Sequence, residues 1–281
     1  MPAPAFIPPR FTEALDEHLV FNFANVDVWP LVLGIFGRPG DGKSFQVRTH
    51  LAERGVLAVS INAADLESDR AGTPGKLVLE TYVNAGHRLD EGTPTAVVVD
   101  DFDTTVGEWE HSTTTVNHQQ VLAQLMHLAD SPTEAAGQKL RRVPVVITGN
   151  DLSKVYPPLR RPGRMRAFPW LPSTEERNRI VAAILADVLP AKEVPALLDH
   201  LDGAPIAFYS DLLVEIVATA AADQVQSIAQ DLKRVIRPGN HQRDELLRQV
   251  AESQPTPAQI RKLARQLWDD RMLATQSHLG T

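Results

Sequence analysis

Eight consecutive residues have the types and spacing needed to bind the phosphates of a nucleotide. The segment Gly37-Arg38-Pro39-Gly40-Asp41-Gly42-Lys43-Ser44 fits the pattern G-x-x-x-x-G-K-[ST] at every fixed position. Its glycines allow tight turns that bring successive backbone N–H groups onto a phosphate chain. Lys43 would contact the β- and γ-phosphates of ATP, and the Ser44 hydroxyl would coordinate Mg²⁺. The candidate nucleotide-binding residues are Gly37, Pro39, Gly40, Asp41, Gly42, Lys43, Ser44 and Phe45.

The alternative is a chance match in a glycine-containing turn, and the flanking sequence argues against it. Residues 31–36 are an apolar run without polar alternation, which predicts a strand buried on both faces. A helical pattern covers 45–54, so the helix should begin near Lys43 and add its positive dipole end at the same point. This strand–loop–helix context is the one a phosphate-binding loop requires.

A second group of candidate residues follows the predicted strand 95–99. Asp100 and Asp101 stand directly after this strand, with Asp103 close behind. An apolar strand ending in acidic residues is typical of a Walker B motif, in which one carboxylate holds Mg²⁺ and the next activates the attacking water. Asp100 fits the first role and Asp101 the second. A solvated acidic turn is the alternative, and the phosphate-binding loop upstream favours the functional interpretation.

Two further polar segments follow the predicted strand 143–148. Asn150 could hydrogen-bond the γ-phosphate or the attacking water, although spacing alone also allows an ordinary turn residue. Residues 160–166 form a basic cluster without an acidic residue, and it includes Arg161 and Arg164. This cluster could contact nucleic acid, could be a solvated loop, or could offer an arginine finger to a nucleotide bound by a neighbouring subunit.

The order of the patterns predicts an α/β domain with a parallel sheet, followed by an all-helical domain. Strands are expected at 31–36, 56–61, 95–99, 143–148 and a short 167–170, with helices between them. In such a sheet the polar segments after the strands meet at its carboxyl edge. Helical patterns are expected at 173–188, 192–201, 207–222, 225–236, 241–252 and 258–273. We therefore expect an α/β nucleotide-binding domain at 1–171 and a helical lid domain with C-terminal helices at 172–281.

Composition restricts the class of protein. The 281 residues are 43% apolar, carry a net charge of −7 and include no cysteine. An acidic chain argues against a general nucleic-acid-binding surface, and the lack of cysteine excludes disulfides and thiolate metal sites. No stretch of about 18 apolar residues or basic, apolar leader is present. These features predict a cytoplasmic protein without a membrane partner.

The motifs, taken in this order, resemble an AAA+ ATPase, and within that superfamily the Rubisco activase family. The segments that carry the resemblance are 33–37 with 42–46, 64–68 with 71–74, 115–117, 129–133, 143–151 and 163–165. The similarity covers roughly residues 6–220. It implies the AAA+ P-loop fold with a parallel sheet and a following helical lid domain. It also implies hydrolysis of ATP with Mg²⁺ by a homo-oligomeric ring, expected to be a hexamer.

The resemblance also assigns roles to residues. It implies that Asn150 is the sensor-1 residue and that Arg161 and Arg164 are fingers acting on a neighbouring subunit. It implies too that the loops 62–75 and 104–115 line a central pore and contact the client protein. Two departures stand out. Leu213 occupies the position of the family's sensor-2 arginine, with Glu215 where a second arginine would stand, and Asp101 replaces the glutamate of most AAA+ proteins.

The leading hypothesis is an ATP-driven remodelling chaperone for a client metabolic enzyme, either Rubisco or another enzyme whose active site needs resetting. A nucleotide-dependent DNA-binding or loader protein is one alternative, against which the acidic composition argues. A small-molecule P-loop kinase is another, and it would act as a monomer without need of Arg161 or Arg164.

Overall fold

The computed structural model describes residues 5–62, 66, 73–105, 116–201, 203–230, 232–235, 248 and 255–277. The packing of Cα atoms divides the chain into two compact units. One unit comprises Ile7–Leu171, and the other comprises Pro172–Thr281 together with Met1–Phe6. All the candidate site residues named above belong to the first unit.

The first unit is built on a parallel five-stranded sheet with the order β2-β3-β6-β1-β7. Since every pairing in this sheet is parallel, the carboxyl ends of its strands lie along one edge. A separate antiparallel hairpin pairs β4 with β5. The strands are β1 (Val32–Phe36), β2 (Leu57–Ile61), β3 (Thr95–Val99), β4 (Glu134–Ala135), β5 (Gln138–Lys139), β6 (Val145–Gly149) and β7 (Met165–Pro169).

The three middle strands are buried along their whole length, which explains their continuous apolar sequences. The helices Thr73–Asp90 and Val116–Asp130 pack against each other, and both contribute buried residues to the hydrophobic core of this unit. The expected α/β fold with a parallel sheet is confirmed. The helices of the unit are α1 (Pro9–Phe23), α2 (Lys43–Glu53), α3 (Thr73–Asp90), α4 (Phe102–Thr105) and α5 (Val116–Asp130).

Strand β7 is longer than the apolar run at 167–170 indicated. It begins at Met165 and pairs with β1 along all five residues. As the edge strand next to β1, it has a single buried residue, Met165, and carries Arg166, which pairs with Glu17 of α1 at 2.5 Å. An edge strand with a charged residue and few buried positions gives a weak apolar signal. The short β4–β5 hairpin was not predicted at all.

A buried polar network attaches α1 to the sheet. His18 is fully buried, and its Nε2–H donates to the carbonyl oxygen of Val145 at 3.1 Å. Burial lowers the pKa of His18 to about 3, so the ring is neutral. Arg142, also buried, donates to Asn22 Oδ1 at 3.2 Å and to the carbonyl oxygens of Val26 and Trp29. These bonds fix the segment that leads from α1 into β1.

The second unit is helical in its described part. Ser173 and Glu176 form a capping box at the start of helix Thr174–Ile184, and Thr256 and Gln259 form an equivalent pair at the start of helix Pro257–Ser277. The helices are α6 (Thr174–Ile184), α7 (Val194–Asp199), α8 (Ile206–Ala220), α9 (Ala222–Ala229), α10 (Leu232–Val235) and α11 (Pro257–Ser277). Within the described residues, no helix has the length and hydropathy needed to span a bilayer.

Two helix predictions in this unit differ from the structure. Helix α6 ends at Ile184 instead of residue 188, and Pro190, which has no N–H to donate, follows shortly after. The single helix predicted at 225–236 is two shorter helices, α9 and α10. The helix predicted at 241–252 lies outside the described residues except for residue 248.

Candidate functional site

The phosphate-binding loop connects β1 to α2 in the way its sequence predicts. Helix α2 begins at Lys43, and Gly40 and Gly42 both have a φ of 76°, in the left-handed region that favours glycine. Gly37 is required for a different reason. A Cβ atom at this position would lie 1.9 Å from the carbonyl oxygen of Trp170. The backbone of the residue after β7 therefore lies directly against the base of the loop.

Trp170 is a structural partner of the loop that sequence reasoning missed. It is fully buried, and its indole N–H donates to the carbonyl oxygen of Asp41 at 2.8 Å. Its backbone N–H donates to the carbonyl oxygen of Phe36 at 2.6 Å. These two bonds tie the end of β1 and the middle of the loop to one residue. A tryptophan just after an edge strand is the one available sequence signal, and it does not identify the partner.

Lys43 is held inside the site by three acceptors. Its ammonium donates to the carbonyl oxygens of Gly37 at 2.9 Å and Arg38 at 3.0 Å, and to Asn150 Oδ1 at 2.9 Å. Burial lowers the pKa of Lys43, and three nearby aspartates, Asp101, Asp41 and Asp103, oppose this shift. The structure thus brings together the two residues that the sequence places at the γ-phosphate, Lys43 and Asn150.

Asp103 positions Asn150, and sequence reasoning did not assign it this role. Its carboxylate is buried and accepts the backbone N–H groups of Asn150 and Asp151, each at 2.9 Å. The Asp103 side chain also leaves no room at Gly149, where a Cβ would lie 2.7 Å from its Oδ1 atom. The available signal in the sequence was a third acidic residue after β3. The sequence does not show that this residue binds the backbone of Asn150, 47 positions away.

The two predicted Mg²⁺ ligands, Ser44 and Asp100, are linked through Thr148. The Thr148 hydroxyl donates to Asp100 Oδ1 at 2.9 Å and lies 3.1 Å from Ser44 Oγ. The same hydroxyl oxygen lies 3.4 Å from the backbone nitrogen of Asp101. Thr148 is fully buried in β6, so it is a rigid connection between the strand end and the start of α2. It was also missed at the sequence level.

Asp101 stands at the turn from β3 into α4 with a φ of 50°, a conformation that is uncommon for a residue other than glycine. This turn separates the directions of the two adjacent carboxylates. Asp100 has a side chain that is only 13% exposed and points toward Thr148, whereas Asp101 is exposed. The division of roles between Asp100 and Asp101 stays a prediction that this geometry supports.

Three other residues predicted to bind the nucleotide, Pro39, Gly40 and Phe45, lie at the surface. Pro39 and Gly40 are exposed, and the side chain of Phe45 is 62% exposed on the first turn of α2. Asp41 is buried beneath them. A direct contact of Pro39 or Phe45 with a nucleotide therefore stays a prediction.

Arg161 and Arg164 lie in the segment before β7, and Arg164 makes its contacts away from the phosphate-binding loop. Its guanidinium forms a two-pronged ion pair with Asp130 at 2.7 and 2.6 Å and donates to the carbonyl oxygen of Pro158 at 2.9 Å. The hydrogen bonds from Arg164 lower the pKa of Asp130. Arg161 is exposed. A single chain contains no neighbouring subunit, so the role of Arg161 and Arg164 as arginine fingers stays a prediction.

The predicted pore loops fall almost entirely outside the described residues. This applies to 63–65, 67–72 and 106–115. In the helical unit, Leu213, which replaces the expected sensor-2 arginine, packs against the core, and Glu215 is exposed.

The donor groups at the carboxyl edge fit a nucleotide with Mg²⁺. The Ser44 hydroxyl and the Asp100 carboxylate are the hard oxygen ligands that Mg²⁺ prefers. The glycine-rich loop has no side chain at its three glycine positions, and a buried ammonium lies beneath it. The meeting of the loop and the strand ends was predicted from the residue patterns of a parallel sheet, and the sensor-1 role of Asn150 from the resemblance to AAA+ proteins.

Comparison with known proteins decides the family. Residues 33–173 match the ATPase family associated with various cellular activities (AAA). The chain belongs to this family. The matched range contains the loop, both aspartates, Asn150 and the two arginines of the AAA protein.

Rubisco activases are among the relatives of this AAA protein. It is 36% identical to the chloroplastic ribulose bisphosphate carboxylase/oxygenase activase of Spinacia oleracea over 80% of the chain and 50% of that protein. It is also 36% identical to the activase of Anabaena sp., over 79% of the chain and 56% of the relative. The chain is likewise 36% identical to the chloroplastic activase 1 of Nicotiana tabacum, over 75% of the chain and 50% of that relative. The chain spans about half the length of the curated relatives it matches.

Proposed function

We propose that this AAA protein hydrolyses ATP to remodel a client metabolic enzyme, Rubisco or another enzyme whose active site needs resetting. The observation that carries ATP hydrolysis is the convergence of Lys43, Asn150 and the Ser44–Thr148–Asp100 chain at one edge of the sheet. The class of client rests on the similarity to proteins named as Rubisco activases.

Each residue of the site has a task in this proposal. Lys43 exchanges its carbonyl acceptors for phosphate oxygens, because a charged acceptor binds an ammonium more strongly than a neutral one. Ser44 and Asp100 would hold Mg²⁺, which supplies charge neutralisation at the phosphates. Asp101 would accept the proton of the attacking water, and Asn150, fixed by Asp103, would orient that water or the γ-phosphate.

We propose also that the protein works as a homo-oligomeric ring, expected to be a hexamer. AAA ATPases commonly assemble, and Arg161 and Arg164 would then act on the nucleotide of the neighbouring subunit. Arg164 would have to leave Asp130 to reach it, and its side chain is already 25% exposed. The ion pair is therefore one that the partner's phosphates could replace.

The proposal is tested with Rubisco whose active site is blocked by a tightly bound sugar phosphate. Carboxylase activity should recover when the protein and ATP are added. Asp101→Asn should bind ATP with nearly unchanged affinity and hydrolyse it about 100-fold more slowly or worse, and it should not restore carboxylation. Lys43→Ala should lose most ATP binding, and Lys139→Ala, in the surface hairpin, is the matched control.

Each outcome bears on a separate part of the proposal. If Asp101→Asn hydrolysed ATP at the wild-type rate, its assigned role would be wrong. If the wild-type protein hydrolysed ATP and left Rubisco blocked, ATP hydrolysis would stand and Rubisco would be excluded as the client.

A further inference from the structure

Arg48, which has no assigned role in nucleotide binding, pairs with the predicted Mg²⁺ ligand Asp100. It lies on α2 one turn after Ser44, so both side chains stand on the same face of the helix. Its Nη2 atom lies 2.5 Å from Asp100 Oδ2. A fixed cation of the chain thus occupies the carboxylate that a divalent cation would use.

Both carboxylate oxygens of Asp100 are engaged. Oδ1 accepts the Thr148 hydroxyl at 2.9 Å, and Oδ2 accepts Arg48. Each oxygen keeps a second acceptor position, but the Arg48 guanidinium, 2.5 Å from Oδ2, places a positive charge beside any Mg²⁺ that contacts this carboxylate. Arg48 and Mg²⁺ therefore repel each other at Asp100, whereas the neutral Thr148 hydroxyl does not oppose the metal.

The exposed fractions of the two side chains indicate that Arg48, and not Thr148, moves away from Asp100 when Mg²⁺ binds. The Arg48 side chain is 50% exposed, whereas Thr148 is fully buried and is also held by its contact with Ser44. A half-exposed guanidinium that leaves a carboxylate is compensated by water, so opening this pair costs little. Moving Thr148 would disturb the interior of β6.

We propose that Arg48 is a built-in competitor of Mg²⁺ for Asp100, and that it sets the Mg²⁺ concentration at which the site binds Mg²⁺-nucleotide. This inference rests on the proposed nucleotide site. Arg48 acts through Asp100 and makes no contact with Lys43 or Asn150 among those that the described residues show. Its effect therefore concerns the metal and leaves the phosphate contacts of Lys43 unchanged.

The test measures binding of the fluorescent nucleotide N-methylanthraniloyl-ADP while MgCl₂ is titrated, so it does not depend on hydrolysis. In Arg48→Gln the Mg²⁺ concentration that gives half of the full increase in nucleotide affinity should fall about two- to five-fold, as expected for loss of one partly exposed ion pair. Affinity measured in EDTA should stay close to wild type. Arg48→Lys, which keeps the cation, should restore the wild-type value.

Arg54→Gln is the matched control, because it removes the same charge from the residue that directly follows the same helix. Arg54 pairs with Asp16 of α1 at 2.7 Å, away from the metal ligands. Arg48→Ala provides a second variant without a side-chain amide, and thermal unfolding verifies that each variant is folded.

Several results would overturn the inference. An unchanged or higher Mg²⁺ midpoint in Arg48→Gln and Arg48→Ala would show that Arg48 supports Asp100 or is irrelevant to it. An equal decrease in Arg54→Gln would show a general charge effect. If the wild-type protein bound the nucleotide without any dependence on Mg²⁺, the inference would fail together with the proposed metal ligands, whereas a normal wild-type dependence confines the failure to Arg48.

Discussion

Asp103 stabilises the backbone after β6, a role that its position in an acidic run does not indicate. It is buried, and it accepts two backbone N–H groups that begin the segment after β6. Asp103→Ala should lower the free energy of unfolding by about 3 kcal/mol, because both N–H groups would be left without an acceptor in the interior. Urea unfolding measures this loss, and the hydrolysis rate should fall as well since Asn150 loses its support.

Asp90→Ala is the control for Asp103, because among the contacts of the described residues this aspartate has only a surface pair with Arg141 at 3.4 Å. Its unfolding free energy should change by less than about 0.5 kcal/mol. Equal stabilities of the two variants would contradict the role assigned to Asp103.

The residues that sequence reasoning found and those it missed differ in a physical way. The P-loop and the acidic strand end are local patterns, because their chemistry depends on neighbours in the chain. Thr148, by contrast, acts on Asp100 from 48 positions away and on Ser44 from 104 positions away. Such partners are set by strand order, and a pattern of residue types does not contain that order.

At the scale of elements, the buried strands were the most predictable. Strand β3 has the predicted bounds, Thr95–Val99, because every residue in it is apolar or small and meets the core. The edge strand β7 was found only in part, and the two-residue strands of the hairpin were not found. Edge strands and short turns depend on what their neighbours leave exposed, so they give weak periodicity.

The contact of α1 with β6 predicts a specific dependence of stability on pH. The pKa of His18 is about 3 in the folded protein and 6.5 is its ordinary value. The unfolded chain therefore binds a proton first as pH falls, and stability is lost below about pH 6.5. This one residue should reduce the free energy of unfolding by about 1 kcal/mol between pH 7 and pH 5.5.

His18→Gln isolates this contribution, because glutamine can donate to Val145 but does not titrate. Its urea unfolding should show a smaller decrease over the same pH interval than the wild-type protein. Identical decreases in the two proteins would mean that other groups cause the acid sensitivity.

The close approach of the loop to the end of β7 predicts that Gly37→Ala will be severely destabilised. The added Cβ would lie 1.9 Å from a backbone oxygen that cannot rotate away, so we expect a loss of at least about 3 kcal/mol. Gly55→Ala is the control, since Gly55 has a φ of 66° and nothing within 4 Å of its Cβ position. It should lose only about 1 kcal/mol from backbone strain. Similar melting temperatures for the two variants would contradict the role of the contact.

At the scale of the whole molecule, the proposed finger role of the two arginines before β7 implies that the protein does not work alone. Arg164→Ala should bind ATP with wild-type affinity and lose most of its hydrolysis, and it should inhibit the wild-type protein when the two are mixed. The steady-state ATPase rate, measured against protein concentration and mixing ratio, tests this. Asp130→Asn breaks the same ion pair but keeps the arginine, so it should retain hydrolysis.

A rate that is independent of protein concentration and unchanged in Arg164→Ala would rule out a finger acting between subunits. A decrease that is equal in Arg164→Ala and Asp130→Asn would show that the ion pair itself is required. Either result would leave the nucleotide site intact, because Lys43 and Asn150 contact neither residue among the contacts described.

The position of Trp170 gives the molecule an internal optical probe. Indole emission responds to hydrogen bonding and to nearby charge, and this indole donates to the backbone of the loop that would receive the phosphates. A nucleotide that moves the Asp41 carbonyl would shift or quench that emission without any added label. Because the same ring is held against Phe11 of α1, with 4.9 Å between ring centroids, the signal would report the loop's conformation and would be lost in Trp170→Phe. Stopped-flow fluorescence could then follow nucleotide arrival and departure in real time.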